Sequence, residues 1–179
     1  MSTALAPSVV PSLRRLYFTR FGFALVWAGL VVATASALGP LGAALLVLYP
    51  VFDVVAAVVD LRSSGTTRPV LGLYVNIAVS LLAAVGLALA ASSGIPGVLR
   101  VWGAWAIASG LTQLAVGVLR RGLGGQWPMI ISGGISTLAG ASFIVMAAGE
   151  DASLSGLAAY ATVGGIFFLV SALRLGRTG

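Results

Sequence analysis

Asp53 and Asp60 stand seven residues apart in YPVFDVVAAVVDLR, residues 49–62, on one side of any helix drawn through them. A carboxylate inside an apolar run can carry a proton or an ion, or it can hold helices together by hydrogen bonds. Little other chemistry is available. The 179 residues include ten Arg, no Lys, four acidic side chains, and neither His nor Cys. Thiol and imidazole nucleophiles, zinc sites, haem attachment, disulfides and a histidine pH switch are therefore absent, and no cofactor or metal is expected. Asp53 and Asp60 would lie about 10 Å apart along a helix, with no catalytic groups around them. LGGQWP, residues 123–128, contains glycine but lacks the Lys and the strand of a phosphate loop. An enzyme is not expected.

The elements that carry these residues are set by composition. The chain is 59% apolar and 8% charged, against roughly a quarter charged in a soluble domain. Uncharged runs cover residues 21–52, 69–99, 101–119, 122–149 and 152–173. A helix of about 20 apolar residues crosses a bilayer. The expected fold is all-α, a polytopic membrane protein with the lipid bilayer as its first partner. Gly39-Pro40 and SSGIPG at 92–97 break the two longest runs. Six transmembrane helices follow, at about 18–38, 41–61, 69–91, 98–119, 127–148 and 154–174, between tails 1–17 and 176–179.

The net charge of +6 does not indicate nucleic acid, because the arginines sit at the ends of apolar runs and not along one face. With the N-terminus in the cytoplasm, Arg14, Arg15, Arg20, Arg62, Arg68, Arg120, Arg121, Arg174 and Arg177 fall on the inner side, and only Arg100 on the outer. That bias needs six crossings and puts both termini in the cytoplasm. Arg14-Arg15, an apolar run and ASA at 35–37 have the form of a cleavable signal peptide. Cleavage would leave five crossings and scramble the charge bias, so helix 1 is expected to stay. Trp102, Trp105 and Trp127, with Tyr17, Tyr49 and Tyr160, lie near the expected helix ends, where interfacial aromatics sit.

The chain also reads as three tandem helical hairpins. RPVLGLYVNIAVSLLAAVGLALAA resembles QWPMIISGGISTLAGASFIVMAA, and GLTQLAVGVLR at 110–120 resembles GGIFFLVSALR at 164–174, with FDVVAAVVDLR at 52–62 a weaker third. The period suits a repeated two-helix unit in parallel orientation. With its six short helices, glycine-rich odd helices and arginines at the inner ends, the chain resembles the HdeD-like family of bacterial acid-resistance membrane proteins, over about residues 15–175. PVLGLYVNIAVSLLAAVGLAL, WAIASGLTQLAVGVLR and QWPMIISGGISTLAGASFIVMAA carry the resemblance. It implies an inner-membrane protein linked to stress, with no catalytic residues to carry over.

Depth along the helices singles out one level. Asp53 falls about 12 Å from the inner end of helix 2, Asn76 about 10 Å into helix 3 and Gln113 about 9 Å into helix 4, with Ser132 of helix 5 at a similar depth. An ionised carboxylate in hydrocarbon costs at least about 2.5–3.5 kcal/mol, so Asp53 should face inward and find partners. Asn76 and Gln113 can donate to it, or it can stay protonated, because desolvation favours the neutral form. Helix-to-helix hydrogen bonding and a proton or ion pathway both remain open. Asp60, beside Arg62, reads as half of a solvated pair at the inner face. Arg20 reads as a snorkelling anchor, with Asp60 an alternative partner. Arg100 could pair with Glu150 and Asp151 outside. Ser132, Ser136 and Gly140, and Ala161 with Gly165, form small-residue stripes that would pack within the monomer or make a homo-oligomer. The function expected is a non-enzymatic stress-response membrane protein acting through bilayer or partner interactions. The alternatives are a small proton, ion or solute transporter or channel using Asp53, Asn76 and Gln113, and a scaffold subunit of a membrane complex.

Overall fold

The computed structural model describes residues 9–34, 38–63, 70–119, 127–150 and 152–175. These residues fold as helices α1 (Val9–Thr34), α2 (Pro40–Ser63), α3 (Val70–Ala90), α4 (Gly94–Leu119), α5 (Trp127–Met146) and α6 (Ser155–Leu175). Among the described residues, five helical stretches are long and apolar enough to cross a membrane. The third of them, Val70–Leu119, contains both α3 and α4. These two helices pack on each other, and the chain reverses between them through a short 3-10 turn, Ala91–Ser93. Gly94 closes that turn with φ +73° and ψ −170°, a conformation essentially reserved to glycine.

Local chemistry explains most of the helix ends. Pro40 opens α2, where its missing N–H costs nothing, and the Ala43 N–H donates to Gly39 O at 3.0 Å. Pro96 lies in the first turn of α4, which lets that helix begin earlier than SSGIPG suggests. The largest departure is α1, which starts at Val9 inside the expected tail. Its first turns are amphipathic and not uniformly apolar: Leu13 is buried while Arg14 and Arg15 face out. Hydropathy alone does not register such a segment.

The six helices close into a ring, each packed on the next and α6 on α1. Packing is most extensive in the pairs α2/α3, α4/α5 and α6/α1, and looser within α1/α2, α3/α4 and α5/α6. Tight and loose contacts thus alternate three times around the ring. The tight pairs join one expected hairpin to the next. Small residues produce two of them, α4/α5 and α6/α1. In α4/α5, Gly110 approaches Gly133 and Gly103 approaches Gly140 so closely that a Cβ at Gly110 would stand 2.7 Å from Gly133 O, and one at Gly140 would stand 2.5 Å from Gly103 O. Gly165 meets Ala24 of α1 in the same way, and Ala161 is fully buried. Both small-residue stripes are therefore engaged inside the monomer.

The outer surface of the ring is apolar, with Leu82, Leu138 and Val145 each about three-quarters exposed. Lipid accepts such a surface and water does not. Inside, among the described residues, the ring is filled at one end. Trp27, Val31, Leu46, Leu87, Leu99, Trp102, Phe143 and Leu157 pack together at the end where α3 turns into α4. Arg14, Arg15, Arg62 and Arg174 lie on helix turns at the opposite, basic end.

Candidate functional site

The basic half of the ring encloses a cavity of about 650 Å³ reached by all six helices. Leu13, Tyr17 and Arg20 line it from α1 at the spacing of one helix face, as do Tyr49, Asp53 and Ala57 from α2. Asn76 enters from α3, Ser109, Thr112 and Gln113 from α4, Ser132 and Ser136 from α5, and Tyr160, Phe167, Phe168 and Arg174 from α6.

Asp53 sits in the wall of this cavity as the hub of a polar network. Its Oδ1 accepts from the Arg20 guanidinium in a direct ion pair. Its Oδ2 accepts from Asn76 Nδ2 at 2.7 Å and from Ser80 Oγ at 3.0 Å. Ser80 in turn accepts from Trp105 Nε1 at 3.1 Å. Four helices, α1 to α4, are thereby tied to one carboxylate. The Arg20 guanidinium also lies over the Phe168 ring, 4.2 Å from its centroid, which brings in α6. On the remaining side, Ser136 of α5 and Tyr160 of α6 share a hydrogen bond.

Of the residues expected at one level, the structure joins Asp53 to Asn76 directly. Gln113 and Ser132 line the same cavity without bonding to Asp53. Arg20 is a different matter. It is no rim anchor and no partner of Asp60; it pairs with Asp53. The earlier start of α1 is the reason. Counted from Val9, Arg20 lies about 16 Å into its helix, and Asp53, counted back from Ser63, lies about 15 Å into its own. Asp60 is buried, at 9% exposure, and not solvated as expected. Arg62 is exposed in the last turn of α2, as an inner anchor would be. Arg100 and Glu150 are both exposed and form no ion pair with each other. Asp151, Arg68, Arg120, Arg121 and Arg177 lie outside the described residues.

The aromatic residues also depart from expectation. Of the four tryptophans only Trp127, at 72% exposure, faces outward. Trp102 stacks on Trp27 with ring centroids 5.3 Å apart and meets Trp105 edge-on at 5.2 Å. Tyr49 packs edge-on against Trp27 at 4.6 Å. The Trp27 indole N–H is satisfied by Leu45 O at 2.6 Å. This cluster belongs to the packed apolar end, and its Tyr49 and Trp105 line the cavity. The sequence reading missed Ser80, Ser109, Trp105 and the role of Arg20. Ser80 follows Asn76 by four residues and Ser109 precedes Gln113 by four, so helical spacing alone could have found both.

Ser109 Oγ is buried with no hydrogen-bond partner, an unusual state for a buried hydroxyl. Among the described residues no group of three or more His, Cys, Asp or Glu side chains could hold a metal ion. What the arrangement offers is a mostly apolar chamber with a fixed ion pair in its wall. Comparison of the chain with known protein families, with curated proteins and with solved structures finds no match.

Proposed function

We propose that the protein is a non-enzymatic, six-crossing bacterial inner-membrane protein with both termini in the cytoplasm, and that it admits a small solute into its central cavity from the cytoplasmic side. The cavity carries this reading: about 650 Å³ of space in the basic half of the ring, backed by a packed aromatic cluster. Solute sites in membrane carriers lie where helices converge near the bilayer midplane, and transport alternates access to them from the two sides. The chamber has the form of one such state. Passage onward would require Trp27, Tyr49 and Trp102 to part. The acid-stress setting implied by the resemblance to the HdeD-like family is proposed as the physiological context.

The orientation rests on the arginines at one end of the bundle, and the absence of cysteine makes it directly testable. In intact cells, a single cysteine at Ser92→Cys is expected to react with a membrane-impermeant maleimide, and one at Arg62→Cys only after the membrane is opened. Reaction of both from one side would overturn the six-crossing topology.

The cavity is tested by uptake of small charged and neutral solutes into liposomes holding the purified protein. Ser109→Leu, which fills the chamber without touching the ion pair, is expected to abolish the uptake that the wild type supports. Wild-type liposomes that take up no solute between acidic and neutral pH would overturn the passage of solute.

A further inference from the structure

We infer that the cavity receives an amphiphilic monoanion, a carboxylate carried on a short apolar tail. The inference rests on the solute-binding reading above and adds the class of solute. It starts from charge. Among the described residues that line the cavity, the ionised groups are Arg20, Arg174 and Asp53, one positive charge in excess. Arg174 is exposed in the last turn of α6, so the excess charge lies at the basic end and draws anions towards the Arg20–Asp53 pair within.

Hydrogen-bonding capacity points the same way. Asp53 already accepts from Arg20, Asn76 and Ser80, so both of its oxygens are engaged and it has little to offer a cation. Arg20 gives one nitrogen to Asp53, and its remaining N–H groups have no partner among the described residues. Ser109 lines the same cavity, and its unpartnered Oγ lies buried just behind that surface. Gln113 lines it with an amide that no described residue engages. The surplus of donors is that of the Arg20 guanidinium, since Ser109 and Gln113 can accept as well as donate. It suits a group that only accepts, and a carboxylate is the smallest singly charged group of that kind.

The α5 and α6 side sets the rest of the ligand. Ile135, Val163 and Phe167 line the cavity there, and Phe168 is already covered by the Arg20 guanidinium. A small inorganic anion would leave this apolar wall unfilled. A short hydrocarbon tail would cover it. The volume lies within the roughly 300–1,000 Å³ usual for small organic ligands.

The test is a titration of octanoate into the full-length protein in phosphatidylcholine nanodiscs, followed by tryptophan fluorescence, since Trp105 lines the cavity. Octylammonium and octanol carry a similar tail with the opposite charge or none; acetate carries the same head without the tail. Saturable octanoate binding, at least about tenfold tighter than the other three, is expected. Arg20→Lys keeps a cation beside Asp53 but replaces the five-donor planar fork by a three-donor point charge, and Ser109→Ala removes the free hydroxyl. Each should weaken octanoate binding, Arg20→Lys by roughly tenfold. Palmitate supplied in the nanodisc lipid distinguishes the source: competition with octanoate means entry from the membrane, and its absence means entry from water. Octanol or octylammonium binding as tightly as octanoate would overturn the anion and leave the solute cavity standing. Acetate binding as tightly would overturn the tail. Octanoate binding unchanged in both variants would place the ligand elsewhere and overturn the inference. No saturable binding of any probe to protein shown to be folded by its melting transition would overturn the inference and the solute-binding reading together.

Discussion

Replacing Gly110 by leucine is expected to abolish the folded, monodisperse form of the protein. The approach of α4 and α5 is set by glycines facing glycines, with Gly110 against Gly133 and Gly103 against Gly140. The atoms nearest a new Cβ at Gly110 are Gly133 O, Thr137 N and Thr137 Oγ1, all at 2.7 Å. Two of the three belong to the backbone, so no rotamer change relieves the clash and the helices must separate. Overpacking a well-filled core costs about 1–3 kcal/mol and occasionally more. Prying apart the most extensive helix pair in the molecule belongs at or above the upper end of that range, about 3 kcal/mol or more. Gly134 is the control, since a Cβ there meets nothing within 4 Å. Gly134→Leu should elute and melt like the wild type, whereas Gly110→Leu should aggregate or melt far lower. Matching melting curves for the two variants would show that glycine contact does not hold α4 to α5.

Arg20→Met is expected to cost about 3–5 kcal/mol of stability, the usual penalty for leaving one partner of a buried ion pair alone. Asn76 and Ser80 would still donate to Asp53, but neither brings a positive charge, and the aliphatic surroundings of the bundle screen poorly. The cost belongs to the abandoned carboxylate, not to the loss of arginine itself. Removing both charges, in Arg20→Met with Asp53→Leu, should therefore recover much of the loss, because apolar replacement of a whole buried pair is often neutral or better. Thermal unfolding in detergent of the wild type, the single variant and the double variant checks this. A double variant no more stable than Arg20→Met would mean that the pair contributes through packing over Phe168 and not through charge.

These two predictions draw on features that stand in very different relation to the sequence. The glycines of α4 are visible as a row at 103, 110 and 117, but a row of glycines equally suits a dimer face, a kink or a lipid-facing groove. The intramembrane level was legible because depth follows from counting residues at 1.5 Å each. Asn76 is the partner of Asp53 that this counting found. Arg20 was not legible as a partner because the count began at the wrong residue. An amphipathic first turn with two arginines lowers hydropathy, although the backbone is helical from Val9. Trp102 and Trp105 misled for a related reason: nearness to a helix end predicts an interfacial ring only when the ring faces outward, and theirs face inward onto Trp27 and Tyr49.

By itself, the sequence determined that this chain is helical, that its helices suit a membrane, that its arginines gather at one end, and that a carboxylate lies within an apolar helix. Those properties are sums along the chain, of transfer free energy and of charge, and they need no knowledge of neighbours. Only the tertiary structure decided that α1 closes the ring against α6, that Arg20 meets Asp53, and that one end of the ring is packed while the other holds a cavity. Such outcomes depend on the rotation of each helix about its axis. In a membrane protein, hydropathy carries little of that information, because the lipid outside is as apolar as the core within. Close glycine contacts and buried hydrogen bonds set the rotation instead, and both exist only once the helices have met.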